Sequence, residues 1–393
     1  MARFRSLALH CPLLYTILIV VVNPSLSLSS QTHDFPLVDW DANYLLFHQD
    51  YSPPAPPPPP PHPPSVSCVD DLGGVGSLDS TCQIVSDLNL TRDVYIAGKG
   101  NFYILPGVRF QCPVSSCSII VNVSGNFSLG ANSSIFGGTF ELVANNASFG
   151  NGSAVNTTGL AGKPPPQTSG TPQGIDGAGG GHGGRGACCL VDHTKLPEDV
   201  WGGDAYSWST LQKPWSYGSR GGSTSKEVNY GGKGGGRVKM EIVRFLDVNG
   251  SILAEGANAG VKGGGGSGGS IYIKAYKMTG SGLISACGGN GYAGGGGGRI
   301  AVDIFSRHDD PKIIVHGGSS FGCPRNAGAA GTFYDAVPRS LTVSNTNMTT
   351  DTETLLLEFP YQPLWTNVYI RNHARATVPL LWSRVQVLSI LNS

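Results

Sequence analysis

Four phrases of the chain fix its fold: GRVKMEIV (236–243), GSIYIKAYK (269–277), GRIAVDIFS (298–306) and GTFYD (331–335). Their leading glycines stand 33, 29 and 33 residues apart, a period of about 32. After each glycine and one further residue an apolar residue opens the phrase, and two positions on sit Met240, Ile273, Val302 and Asp335. Three of the four copies thus keep the alternation of a strand with one buried face. Polar turns follow at Asn249-Gly250, Thr279–Gly282 and Asp309-Asp310-Pro311, and then second apolar runs at Ile252-Leu253, Leu283-Ile284 and Ile313–Val315. One such unit cannot bury its own apolar face, whereas stacked copies share a continuous core. The expected fold is all-β: a right-handed parallel β-helix or related β-solenoid with glycine-rich loops, followed by a β-sandwich-like segment.

The rest of the chain divides by composition. Residues 1–29 read as a signal peptide: Arg3 and Arg5 precede a largely apolar stretch, Leu13–Val22, and small Ser27 and Ser29 follow. That stretch falls well short of the roughly 20 residues a membrane-spanning helix needs. Residues 30–65 hold Phe35, Trp40, Tyr44 and Phe47, then a proline run from 53 to 64 broken only by Ala55 and His62, which predicts a stiff, extended spacer. Residues 66–161 carry short apolar runs read as early coils. Gly138 lies 98 residues before Gly236, close to three periods. Between them, residues 162–235 form a glycine- and aromatic-rich excursion, and 236–335 are the solenoid repeats proper. Residues 336–393 change character. Glycine disappears after Gly331, strand-like runs appear at Leu355–Leu357, Val368–Ile370 and Val385–Val387, and the ending predicts a truncated chain or the first part of a longer polypeptide.

Lysine plus arginine equals aspartate plus glutamate at 26 each, so no electrostatic pull toward nucleic acid or anionic lipid is expected. Charged residues are 13% against about 25% in a typical soluble domain, which leaves solubility to polar side chains, backbone or attached sugar. Nine Asn-x-Ser/Thr acceptors fit a secreted chain: Asn89, Asn122, Asn126, Asn132, Asn146, Asn151, Asn156, Asn249 and Asn347. Beyond Cys11 the cysteines are Cys68, Cys82, Cys112, Cys117, Cys188, Cys189, Cys287 and Cys323. Eight permit four disulfides in an oxidising compartment. Cys68 with Cys82 and Cys112 with Cys117 are the nearest local pairs, adjacent Cys188 and Cys189 seek separate partners, and no Cys-x-x-Cys pair points to zinc.

Chemistry-bearing patterns are few. The glycine run Gly263–Gly269 leads into a strand and lacks a following Gly-Lys-Ser/Thr, so it does not read as a phosphate loop. One Arg-Gly-Gly, at Arg220, in a neutral chain does not make a nucleic-acid tail. A polysaccharide-cleaving enzyme would draw on Asp303, Asp309, Asp310 and Asp335 with Arg299 or Arg307, but these form no repeated ladder, and Asp309-Asp310 suits a turn. His182, His193, His308, His316 and His373 show no ligand spacing. Trp201, Trp208 and Trp215, spaced by seven, either stack on sugar or cover the solenoid edge.

The segments AGKPPPQTSG (161–170), GAGGGHGGRGACC (177–189), DVWGGDAYSW (199–208), YGGKGGGRV (230–238), LISACGGNGYAGGGGGRIAV (283–302) and HGGSSFGCPRNAGAAGTFYD (316–335) resemble a family of large plant glycine-rich membrane proteins of the secretory pathway. The likeness covers most of the chain from about residue 66. It implies a secretory signal, a long extracytoplasmic glycine-rich region and membrane spans near a far C-terminus that this chain does not include. No catalytic residue, cofactor or metal is implied. The expectation is therefore a non-enzymatic extracytoplasmic structural or interaction module, cell-wall or cell-surface associated, with carbohydrate or a surface protein as partner. The alternative is a polysaccharide-active β-helix lyase or hydrolase.

Overall fold

In the computed structural model, residues 63–165, 167–170, 177–189, 202–206, 209–223, 225, 228–357 and 365–378 are described. Parallel strands stack in sequence order into two sheets joined coil by coil, a β-solenoid. In the larger sheet, Thr139–Phe149, Arg237–Val248, Ser270–Thr279, Arg299–His308 and Thr332–Asp335 pair in parallel, one after another. Earlier coils split this sheet. Thr81–Ile84, Asn101–Ile104 and Asn126–Leu129 make one stack and Val94–Gly98 and Ser118–Val123 another, and both run onto Thr139–Phe149. The smaller sheet takes Leu88–Asn89, Arg109–Gln111, Ser134–Phe136, Ala154–Asn156, Ser251–Leu253, Leu283–Ser285 and Lys312–Ile314.

The phrases quoted first meet in register, with Arg237, Ser270, Arg299 and Thr332 side by side. The parallel ladder begins at Thr81, within the stretch read as early coils. One reading is corrected. The 98 residues from Gly138 to Gly236 are one coil and the excursion rather than three periods, because Thr139 pairs directly with Arg237. Early coils also run shorter than the later period: Cys82 pairs with Phe102 and Ile119 with Phe140.

The core follows from that register. Val94, Ile119, Phe140, Val238, Ile271 and Ile300 line one inward row, and Phe110, Ile135, Val155, Ile252 and Ile284 face them from the smaller sheet, all essentially inaccessible. Each fully buried side chain of this kind contributes about 1.5–3 kcal/mol. At its last coil the core closes on charge: Arg307 and Asp335 take inward register positions opposite Met278 and Val302, and Arg307 Nη2 lies 2.6 Å from Asp335 Oδ2. After a turn at 336–339 the chain reverses, and Ser340–Ser344 pairs antiparallel with Thr332–Asp335 and parallel with Asn367–Arg371. A second core forms here from Tyr272, Ala301, Tyr334, Leu341, Val343, Leu356 and Val368.

The glycine block Gly264–Gly269 is extended rather than bent. From Gly264 to Gly269 successive amides donate to three different neighbours and return to each after three residues. Gly264 and Ser267 bond the carbonyls of Gly222 and Ser219, Gly265 and Gly268 those of Ala293 and Gly296, and Gly266 and Gly269 those of Ala257 and Ala254. A three-residue repeat with no internal hydrogen bonds is the signature of an extended polyproline-II-like segment. The excursion supplies further members of this lattice, since Gly180 donates to Gly265 and Ala187 to Gly294. Packing is so close that a Cβ on Gly265 would stand 1.9 Å from the Gly289 carbonyl oxygen.

Three disulfides staple the body: Cys68–Cys82, Cys112–Cys117 and Cys189–Cys323. The last ties the excursion to the glycine-rich stretch Gly317–Gly331 across 134 residues, a loop long enough for closure entropy of about 4–5 kcal/mol. Cys287 is a free, buried thiol, pushed up to about 12 by burial.

Gly265→Ala is expected to lower unfolding stability by at least about 1–3 kcal/mol, the cost of overpacking against rigid backbone. Gly107→Asn is the control: its φ is +78° but nothing stands within 4 Å of a Cβ, and asparagine tolerates that conformation. Denaturant unfolding of both variants checks this, and equal losses would remove the close-packing account.

Candidate functional site

Alternation that buries one set of side chains presents the other set on the outer face of the larger sheet. The first outward row is Thr139, Arg237, Ser270, Arg299 and Thr332. It is roofed by the excursion. Arg237 is held between Trp215 and Tyr217, 4.3 and 4.4 Å from the ring centres, and its Nε donates to Thr139 Oγ1 at 3.1 Å. Tyr217 Oη lies 2.7 Å from Thr139 Oγ1, and the Ser216 amide donates to Ser270 Oγ at 3.0 Å. Arg299, fully buried, donates to the carbonyls of Ser209 and Tyr206.

Beside it His182 is also fully buried, its ring 4.4 Å from that of Tyr206. Its Nδ1 lies 2.8 Å from the Gly268 carbonyl, which can only accept, so the proton sits on Nδ1. Burial, then the Arg299 charge, lowers its pKa to about 3. Tyr206 donates to the Tyr217 carbonyl and is pushed up to about 12 by burial. These groups lock the excursion onto the solenoid.

The second row is Glu141, Lys239, Tyr272, Ala301 and Tyr334. The second core covers Tyr272, Ala301 and Tyr334. Tyr272 is pushed up to about 12, by burial first and then by Asp303 and Glu241. The third row, Asn122, Val143, Glu241, Lys274 and Asp303, is open. Just past it the register shifts between Ile242 and Phe245, as a bulge does, leaving Val243 exposed. Here lies a groove of about 510 Å³ lined by Val143, Val243, Tyr276 and Phe305 with Glu241, Lys274 and Asp303. The Tyr276 and Phe305 rings stack at 5.3 Å and 15°.

Of the acid–base candidates, only Asp303 reaches this groove. Asp335 is tied to Arg307, which also lies 3.6 Å from Asp310, and Arg299 is under the excursion. Asp309 has a φ of +53°, in keeping with its turn. His308 is exposed and His316 half-buried, its Nδ1 2.7 Å from the Gly317 carbonyl. His373 is exposed at a φ of +61°. Trp201, Trp208 and His193 lie outside the described residues. No group of three metal-ligating side chains forms among the described residues, and no helix among them is long and apolar enough to cross a membrane.

The sequons sit on outer surfaces. Asn89, Asn122, Asn126, Asn132, Asn151 and Asn347 are exposed, and Asn146, Asn156 and Asn249 half-buried. Asn126 and Asn146 pair in register at a second groove of about 540 Å³, the Asn146 amide donating to Asn126 Oδ1 at 2.8 Å. Sequence reasoning missed the Tyr276–Phe305 groove. The signal was available, since apolar Val243, Tyr276 and Phe305 recur at matching places in three successive phrases. No family model, curated protein or solved structure matches the chain.

A neutral His182 contributes stability that is whole above the unfolded value of 6.5 and is lost as pH falls toward about 3, because in that window only the unfolded chain takes up the proton. The expected loss is on the order of a few kcal/mol. Unfolding curves between pH 7 and 4 check this, with His182→Gln expected to flatten the slope.

Proposed function

We propose that this chain is a non-enzymatic, extracytoplasmic structural or interaction module that passes through the secretory pathway. In a full-length form it would be anchored through a C-terminal membrane region, as the family resemblance implies. The observation that carries the reading is the glycine lattice bonded to the solenoid, which ties the excursion, the coils and the last turns into one body. Such construction suits a rigid, surface-presented module. Surface-lying sequons and the disulfides fit the same compartment. Carbohydrate or a cell-surface protein is the partner class.

Finer features of the fold belong to the same reading. We take the coil as right-handed, the hand that parallel crossovers adopt almost without exception. The glycine-rich stretches serve as connections between the two sheets. The segment from 336 acts as a sandwich-like layer, because Leu341, Leu356 and Val368 pack with Tyr272 and Tyr334 on the outer face.

The polysaccharide-active alternative draws on Asp303, which stands beside Lys274 on an open groove. It requires turnover on a polysaccharide panel that disappears in Asp303→Asn. Without turnover the enzyme reading is withdrawn.

Peptide mass analysis of the protein secreted from plant cells, before and after glycan removal and reduction, tests the compartment. The expected mature chain begins near residue 30 and carries occupied sequons, three disulfides and a Cys287 thiol that alkylates only after unfolding. An uncleaved, unglycosylated chain with all thiols free overturns the reading. Failure to bind any polysaccharide or surface protein in a broad screen removes its interaction half.

A further inference from the structure

We propose that the groove between Val143 and Phe305 is the bed of an N-linked glycan carried by Asn122; this rests on the secretory reading above. Asn122 is the sequon that stands in the groove's own row, one strand from Val143, with Glu241, Lys274 and Asp303 next in register. Four ladder steps of about 4.8 Å carry the row about 19 Å from Asn122 to Asp303, within reach of a short oligosaccharide. In Asn122-Val123-Ser124 the valine is buried and both flanking residues are exposed, so the acceptor and its serine face outward together.

The surface beyond is apolar in a way that asks for a cover. Val243, Tyr276 and Phe305 are 66%, 59% and 70% exposed, and the aromatic pair is stacked rather than buried. Contiguous exposed apolar surface of this kind marks an interaction site. A sugar ring offers an apolar C–H face for such side chains and a hydroxyl rim for polar ones. Glu241, Lys274 and Asp303 supply that rim with acceptors and a donor. Two carboxylates to one ammonium disfavour an acidic polymer and suit a neutral glycan.

Asn126 and Asn146 are placed differently. Their row continues to Phe245 and Lys277 rather than to the groove's Tyr276 and Phe305, and the Asn146 side chain is engaged by Asn126 and by the Phe245 amide.

Attachment uses a lipid-pyrophosphate-linked oligosaccharide as donor. Asn122 Nδ2 forms the bond to the anomeric carbon, the carbon–oxygen bond to pyrophosphate breaks, the amide loses one proton and the lipid pyrophosphate leaves.

The test uses the full chain secreted from plant cells. Glycopeptide analysis is expected to find Asn122 occupied. Endoglycosidase is expected to release its glycan several-fold more slowly than those at exposed Asn89 and Asn151 from native protein, and at equal rates after denaturation. Removing the Asn122 glycan, by enzyme from the folded protein or by Ser124→Ala, is expected to raise binding of a hydrophobic dye several-fold. Tyr276→Ser with Phe305→Ser is expected to abolish that rise. Asn122 bare while Asn89 and Asn151 are occupied overturns the inference and leaves the secretory reading standing; no sequon occupied overturns both. Unchanged dye binding after glycan removal also overturns it. So does the glycosylated chain binding a neutral glucan oligosaccharide, or a second copy of itself, through Phe305.

Discussion

Close approach of one backbone to another is the constraint on which this molecule depends. Along Gly264–Gly269 successive amides reach carbonyls of three neighbours in turn, and at each glycine of the block a Cβ would sit inside a neighbouring peptide. Glycine loses more freedom on folding than other residues, so such a block is ordered only if its hydrogen bonds are made together. They are made because the solenoid places Ala254, Ala286 and Gly269 at fixed spacing beside one another. The apolar ladder thus fixes the lattice in position, and the lattice in turn binds the excursion, which is inserted between Ala154–Asn156 and Arg237–Val248.

Polar groups trapped by this arrangement take partners from nearby backbone, although His182 Nε2 and Thr332 Oγ1 are buried with no hydrogen-bond partner among the described residues. Arg299 and His182 spend their donors on carbonyls of the excursion and the glycine block, and neutral His182 is what burial beside a guanidinium requires. The outer face is therefore used unevenly. Its first row is roofed by Trp215, Tyr217 and Tyr206, and the second holds the core of the reversed C-terminal strands. The face is open along the third row and where the strands bulge past Ile242, and at the bulge the side chains are Val243, Tyr276 and Phe305.

Much of the fold was legible. The Gly-x-apolar phrases predicted the register of Arg237, Ser270, Arg299 and Thr332, because strand alternation and a shared core leave a repeat little other choice. Asp335 at an inward position followed from the same count. The two short-range disulfides were the nearest pairs in sequence. The bed at Tyr276 and Phe305 was less legible. Strict alternation through Val302 and Ile304 does not reveal which outward row will be covered by residues far along the chain, and covering decides whether an outward aromatic is core or surface.

By itself the sequence determined the all-β class, the parallel stacking and the inward rows, since periodicity and burial are properties of short stretches repeated. Tertiary structure alone decided that the glycine blocks bond as a three-residue lattice, that Gly138 and Gly236 are immediate neighbours across the excursion, and that Cys189 meets Cys323. Glycine has no side chain to record its partner, so nothing in a glycine run states which backbone it will lie against until the coils around it have set the distance.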